Sequence, residues 1–381
     1  MKKTILTLLF VFVLAGCAPQ VEPASATATM PPVIESTATM MPTATVAPTE
    51  IPPTPQPGVN PLTGLVVDDP ALLERRPILI KVQNVPRESR PQWGLSQADI
   101  VYEYYIEYGD TRFAALYYGQ DSHVGPIRSA RHVDIQLIQM YKSFFIFGGA
   151  YDDLFELLLD SDFAERLIRE GPNTAAVLNR LDPYGLNYLM ADTRGTKEVV
   201  DLYEMDDSRQ DLSGMVFSAD PPQGAQTGSD LYVRFSGGMY SHWQYSPELS
   251  GYLRFSDAEN DFDRDNPVYA QQFDRQTEEP ILAENVVILL ASYAVLSEET
   301  ETSAGVYDVD LLGRGEAFLA RDGVVQSVFW QRENADDVLT LVDGEGNVVL
   351  FKPGRTWFEL MGASSQVIPD GSAWQFNFLI P

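Results

Sequence analysis

The chain is poor in the residues that most often carry chemistry. Its 381 residues include one cysteine and three histidines. A lone cysteine excludes an internal disulfide and any multi-cysteine zinc site. Basic residues are also scarce, with 26 Lys and Arg against 54 Asp and Glu and a formal charge of -28. Nucleic-acid binding needs clustered cations against phosphate, so that class of partner is excluded. No phosphate-cradling GxxxxGK[ST] loop, dinucleotide fingerprint or nucleophile elbow is present. No cofactor is expected. No apolar run reaches the roughly 20 residues that a membrane-spanning helix needs.

What is present begins with an address. Lys2 and Lys3 precede an apolar run over residues 5–14. As a helix that run spans ~15 Å, half the roughly 30 Å of hydrocarbon, so it reads as a secretory signal and not a permanent span. Leu14-Ala15-Gly16-Cys17 follows, and it resembles the bacterial lipobox. That resemblance implies cleavage after residue 16 and lipid on Cys17. Two or more acyl chains hold a protein on a membrane where one does not. Residues 18–58 are dominated by Pro, Thr and Ala and form a low-complexity tether with too little apolar surface to fold. The expected location is the extracytoplasmic face of a bacterial membrane. The expected partners are the membrane itself, through Cys17, and a cell-wall polymer or envelope protein.

From residue 59 the pattern is globular. Runs at 78–85, 99–108 and 111–118 read as strands, the last two joined at Gly109-Asp110, a hairpin loop. That loop sets Glu107 opposite Arg112. A helix is expected from Ser129 to Tyr141, a strand over 143–147, and helices over 153–169 and 196–204. Residues 207–230 are polar, with Pro221 and Pro222, and mark a boundary. Beyond it, strands are expected at 231–235, 243–245, 252–255, 286–293, 306–311, 316–320, 324–330, 338–342 and 348–351. The expected fold class is α+β. A mixed α/β domain over 59–222 precedes a β-rich domain over 223–381, after a signal peptide (1–16) and a lipidated tether (17–58).

Several runs carry a family likeness. They are Asn60-Pro61-Leu62-Thr63-Gly64, the RPQWGLSQADIVYE run over 90–103, Thr111-Arg112, and Gly125-Pro126-Ile127-Arg128-Ser129-Ala130-Arg131. Later come Gly251-Tyr252-Leu253-Arg254, Asn285-Val286-Val287, residues 313–318, Arg321-Asp322-Gly323, Trp330 and Pro353-Gly354-Arg355-Thr356-Trp357. Over about residues 60–360 the chain resembles the DUF3048 lipoproteins. The resemblance implies a two-domain extracytoplasmic lipoprotein and brings no assigned chemistry.

The residues themselves suggest one site. Ser129 is a candidate helix N-cap, and free backbone N–H groups there favour an anion. Arg128 and Arg131 stand beside it, with Arg112 near in the hairpin. Guanidinium forks match carboxylate or phosphate. Glu103 is a candidate for the same cleft, which makes Arg112, Arg128, Ser129, Arg131 and Glu103 the candidate ligand-binding set. The competing reading is internal ion pairing, Glu107 with Arg112 among them.

Other chemistries have less support. Glu103 and Glu107 lie ~13 Å apart on one strand face, beyond the about 5–9.5 Å of paired glycosidase carboxylates. An envelope hydrolase or transferase acting on glycan or peptide is the alternative function. It needs Glu103 with another carboxylate, Asp99 or Asp152. Ser129, His123 or His132, and Asp134 are a formal triad without a nucleophile elbow. Asp261-x-Asp263-x-Asp265 starts as a calcium loop does. However, Asn266 and Gln272 stand where that loop takes Gly and Glu, so a solvated acidic loop is the favoured reading. Trp243, Trp330 and Trp357 suit a β core better than a sugar platform.

Overall fold

The computed structural model describes residues 57–182, 188–300 and 304–380. The expected signal peptide, Cys17 and the expected tether up to residue 56 lie outside these residues. Among the described residues no helix is long and apolar enough to cross a membrane. Strand outweighs helix. Among the described residues three short α-helices, α1 (Val133–Tyr141), α2 (Asp152–Leu159) and α3 (Thr196–Tyr203), accompany two large sheets. The class is α+β with a marked β bias.

The first sheet has β1 (Ile78–Gln83), β2 (Ile100–Tyr105) and β3 (Thr111–Tyr117) near its middle. β1 is buried at every position, because both of its faces are covered, and it reads as a near-continuous apolar run. β3 pairs antiparallel with both β1 and β2. Beyond β1 lie Phe144–Ile146 and Leu167–Ile168, both parallel. On the other side β2 pairs in parallel with Thr356–Gly362, which pairs in parallel with Asn285–Ser297. Gly313–Arg321, Val324–Arg332 and Thr340–Val342 complete that flank. One sheet thus crosses the expected boundary at residue 222, and the strand Thr356–Gly362 stitches the two halves of the chain together.

The second sheet includes Asp230–Arg234, Tyr240–Ser246, Gly251–Asp257 and Ala373–Asn377. It covers the β2 face that bears Glu103 and Tyr105. Tyr105 stacks on Phe378 at 4.8 Å between ring centroids, and Trp243 meets Trp357 edge-on at 5.2 Å. α1 covers the opposite face, where Tyr102 Oη and Tyr141 Oη are 2.7 Å apart. The period-two alternation of β2 therefore separates two environments.

Three local expectations change. The hairpin turn is centred on Tyr108 and Gly109, both at positive φ, and not on Gly109-Asp110. Asp110 N–H donates to the Glu107 carbonyl at 3.1 Å. Arg112 consequently stands opposite Tyr104 in the ladder, while its guanidinium still forms the expected ion pair with Glu107 at 3.7 Å. Second, α1 starts at Val133, so Ser129 is not its N-cap. Third, the expected 153–169 helix stops at Leu159 and gives way to a 3₁₀ turn at Ala164–Arg166 and a short strand.

Candidate functional site

The Gly125–Arg131 segment is laid along the end of β1. Gln83 N–H donates to the Pro126 carbonyl at 2.8 Å, and Arg128 N–H to the Lys81 carbonyl at 3.0 Å. Ala130 N–H donates to Gly149 and Gly148 N–H to Arg128, at 2.8 and 2.9 Å. These bonds fix Ser129 and Arg131 at the entrance to α1. The entrance is closed by Asp134, whose carboxylate accepts Arg131 N–H at 2.6 Å. An acid in the first turn satisfies a donor that the helix leaves open.

A cavity of about 420 Å³ opens here, lined by Glu107, Ser129, Arg131, His132, Tyr151 and Tyr307 among others. The segment around Tyr307 comes from the C-terminal half of the chain, so both halves build the cavity. Arg131 holds Glu107 in a two-point grip: Nε donates to Oε2 at 2.7 Å and Nη2 donates to Oε1. Arg112 Nη2 lies 3.7 Å from the same Oε1, and its Nη1 donates to the Ser129 carbonyl at 2.7 Å. His132 Nε2 is hydrogen-bonded to Tyr151 Oη.

Positive charge is crowded at this point. Burial first, and then the neighbouring Arg131, push the Arg112 guanidinium down to about 9. The same two causes lower Arg128. For Glu107, burial works upward, but the bond and charge of Arg131, with Arg112 behind it, prevail and lower its pKa. Beneath the cavity, Lys81 is fully buried and hydrogen-bonded to Tyr104 and, at 3.2 Å, to Asp134. Burial pushes Lys81 down to about 7, opposed by Asp134 and reinforced by Arg112 and Arg131.

Of the expected set, Arg112, Ser129 and Arg131 come together, Arg128 stands beside them, and Glu103 does not join. Glu103 faces the second sheet, buried, where Arg254 Nη2 donates to it. Its other oxygen accepts Thr111 Oγ1 at 2.7 Å and Asn84 Nδ2 at 3.1 Å. Arg254 is itself packed over the rings of Phe113, Trp243 and Trp357. The residue that replaces Glu103 in the cavity is Glu107, which the expected hairpin register had assigned to Arg112.

The remaining candidates are dispersed. Asp99 is buried and accepts from Asn60 Nδ2, Tyr118 N–H and Gly119 N–H at 2.9, 2.6 and 3.0 Å. Asp152 is exposed in the first turn of α2. Glu103, Asp99 and Asp152 thus occupy three separate environments. Asp134 serves Lys81 and Tyr104, and His132 serves Tyr151, so Ser129, His132 and Asp134 do not assemble as a triad. In the acidic loop, Asp261 accepts from Arg234 at 2.7 Å and from two backbone N–H groups, while Asp263 and Asp265 are exposed. Among the described residues no group of three or more His, Cys, Asp or Glu is placed to hold a metal, and in this loop the one buried carboxylate is paired with Arg234. Trp243, Trp330 and Trp357 are all core residues.

The family runs define a seam. Arg90 reaches Asp257 through its carboxylate at 3.1 Å and its carbonyl at 2.9 Å. Gln92 accepts from Gln272 at 2.8 Å, and Arg275 lies over the Trp93 ring at 4.4 Å. The RPQWG run thus clasps the C-terminal half.

A two-part α+β scaffold is shared with known proteins. Family models for the DUF3048 N-terminal and C-terminal domains, each described as a protein of unknown function, match residues 62–184 and 231–358. The chain belongs to the DUF3048 family. It is 27% identical over 317 residues to the protein of Bacillus subtilis (strain 168) named "Putative lipoprotein YerB", covering 79% of this chain and 85% of that one. The crystal structure of the YerB protein from Bacillus subtilis superposes with a TM-score of 0.66 at 26% identity. That match covers 79% of this chain and 96% of the other.

Proposed function

We propose that this protein is a lipid-anchored extracytoplasmic binding or accessory protein of the bacterial envelope, without catalysis of its own. Its ligand is anionic and enters the cavity between the β2–β3 turn, the start of α1 and the strand Val306–Asp310. The observation that carries this reading is the crowding of Arg112 and Arg128 around Arg131, which lines the cavity, in a chain of charge -28. Crowded like charges are relieved by an anion, and guanidinium groups bind one with directed donors. Placement on the membrane rests on the lipobox at Cys17 and on the relative whose name includes the word lipoprotein.

The test pairs the full chain with anionic wall polymer. Retention by the wild type and its loss in Arg128→Ala plus Arg131→Ala, with unchanged melting, supports the site. Equal retention refutes it. In the same cells, Cys17→Ser moves the protein out of the membrane fraction if the anchor is as proposed.

A further inference from the structure

Glu107 lies beyond the end of β2, which stops at Tyr105, in the turn to β3. Its side chain is 15% exposed and lines the cavity. Arg131 meets both of its oxygens, and Arg112 flanks one of them. A planar carboxylate gripped at two points by one guanidinium and flanked by another is how an arginine site receives a carboxylate ligand. Here that position is filled from within the chain.

Resting on the anion-binding reading above, we propose that Glu107 is a built-in stand-in for the carboxylate of the ligand. A carboxylate-bearing ligand displaces Glu107 from Arg131 and Arg112. The exchange leaves the charge of the pocket unchanged, since one carboxylate departs as another arrives. The body of the ligand then lies against the ring of Tyr151 and the ring of Tyr307, with the Ser129 hydroxyl within the same cavity. Departure of Glu107 is local. Its turn is closed by two backbone hydrogen bonds, Ile106 N–H to Asp110 and Asp110 N–H to Glu107, and no strand pairing is broken. Glu107 also sets specificity: a ligand without a carboxylate gains nothing by competing with it.

The experiment uses the full chain in detergent micelles, titrated with glucuronate, N-acetyl-alanyl-alanine, inorganic phosphate and glucose. At least one carboxylate probe binds and glucose does not. Which of the two binds tells a glycan source from a peptide source. In Glu107→Gln the bound probe gains affinity about tenfold, because the competing internal state is removed. Unchanged or weaker binding in that variant overturns the proposal. Binding of phosphate but of neither carboxylate overturns it while leaving the anion reading of the pocket intact. If no anion binds, both fall. Should Glu107→Gln fail to fold, the wild type supplies the answer by hydrogen exchange. Saturation with the bound probe speeds exchange at the Ile106 and Asp110 amides, whose hydrogen bonds close the turn, as the turn is released. Slower or unchanged exchange overturns the proposal.

Discussion

Glu103 in β2 and Glu359 in the strand Thr356–Gly362 stand directly opposite each other across a parallel strand pair, and both are buried. Burial first, and then the charge of Glu103, push the Glu359 carboxyl well above the usual range, against the pull of Arg254 and of Trp243 Nε1, which donates to it at 2.8 Å. Glu359 is therefore the neutral member and Glu103 the partner of Arg254. This group joins β2 to three strands of the C-terminal half, Tyr240–Ser246, Gly251–Asp257 and Thr356–Gly362.

The two glutamates should respond differently to the same change. Glu103→Gln removes the carboxylate to which Arg254 Nη2 donates, and breaking a buried pair from one side costs about 3–5 kcal/mol. Glu359→Gln exchanges one neutral group for another of the same shape, and its cost should be a fraction of that. Urea unfolding of the two variants measures the difference. Equal losses would show that the charge is not held on Glu103.

Asp99 gives a pH dependence with a definite sign. Burial pushes its carboxyl up to about 6, opposed by the N–H groups of Gly119 and Tyr118 and by Asn60. Between about pH 4, where an unfolded aspartate titrates, and pH 6, the folded chain holds a proton that the unfolded chain has released. Stability from this group is complete below that window and is lost as pH rises through it, by about 2–3 kcal/mol in all. Asp99→Asn should remove that part of the slope. The check is the urea midpoint of wild type and variant from pH 4 to 7. A parallel pair of curves would refute the assignment.

Much of the strand inventory was legible in the chain, because alternation and apolar runs follow directly from sheet burial. The strand Thr356–Gly362 was not. It is buried at every position, so it has no alternation, and Glu359 interrupts its apolar run. The sequence of Glu359 shows nothing of the neutral state that lets it sit there. For the same reason, Glu103 was legible as a notable carboxylate, but its partners Arg254 and Glu359 lie far along the chain. In the site, the Arg128–Arg131 segment was legible as a cluster of cations at a helix start. The place of Glu107 was not, because it depends on a turn one residue earlier than Gly109-Asp110. Tyr108 there takes φ 60, a conformation that its residue type disfavours. Lys81 was invisible for another reason: an apolar strand context gives no hint that α1 supplies Asp134.

The seam supplies the remaining prediction. Asp274 accepts from Gly94 N–H at 3.0 Å, and from Ser96 N–H and Ser96 Oγ at 2.8 and 2.7 Å. It lies in the C-terminal half and is buried, so it holds the end of the RPQWGLS run by its backbone. Asp274→Ala leaves three backbone N–H groups, those of Gly94, Ser96 and Gln276, without this acceptor, at about 1–3 kcal/mol for each that stays buried. Asp274→Asn keeps one acceptor oxygen and turns an amide N–H toward a donor, so it should fall between alanine and wild type. Gly94→Ala attacks the same joint from the other side. Gly94 has φ +79, and a Cβ there would stand 2.6 Å from the His123 carbonyl oxygen. Its loss should match or exceed that of Asp274→Ala, and the double variant should lose less than the sum, because both disrupt one contact. Urea unfolding of the set decides it. Full additivity would mean that the glycine and the aspartate serve separate joints.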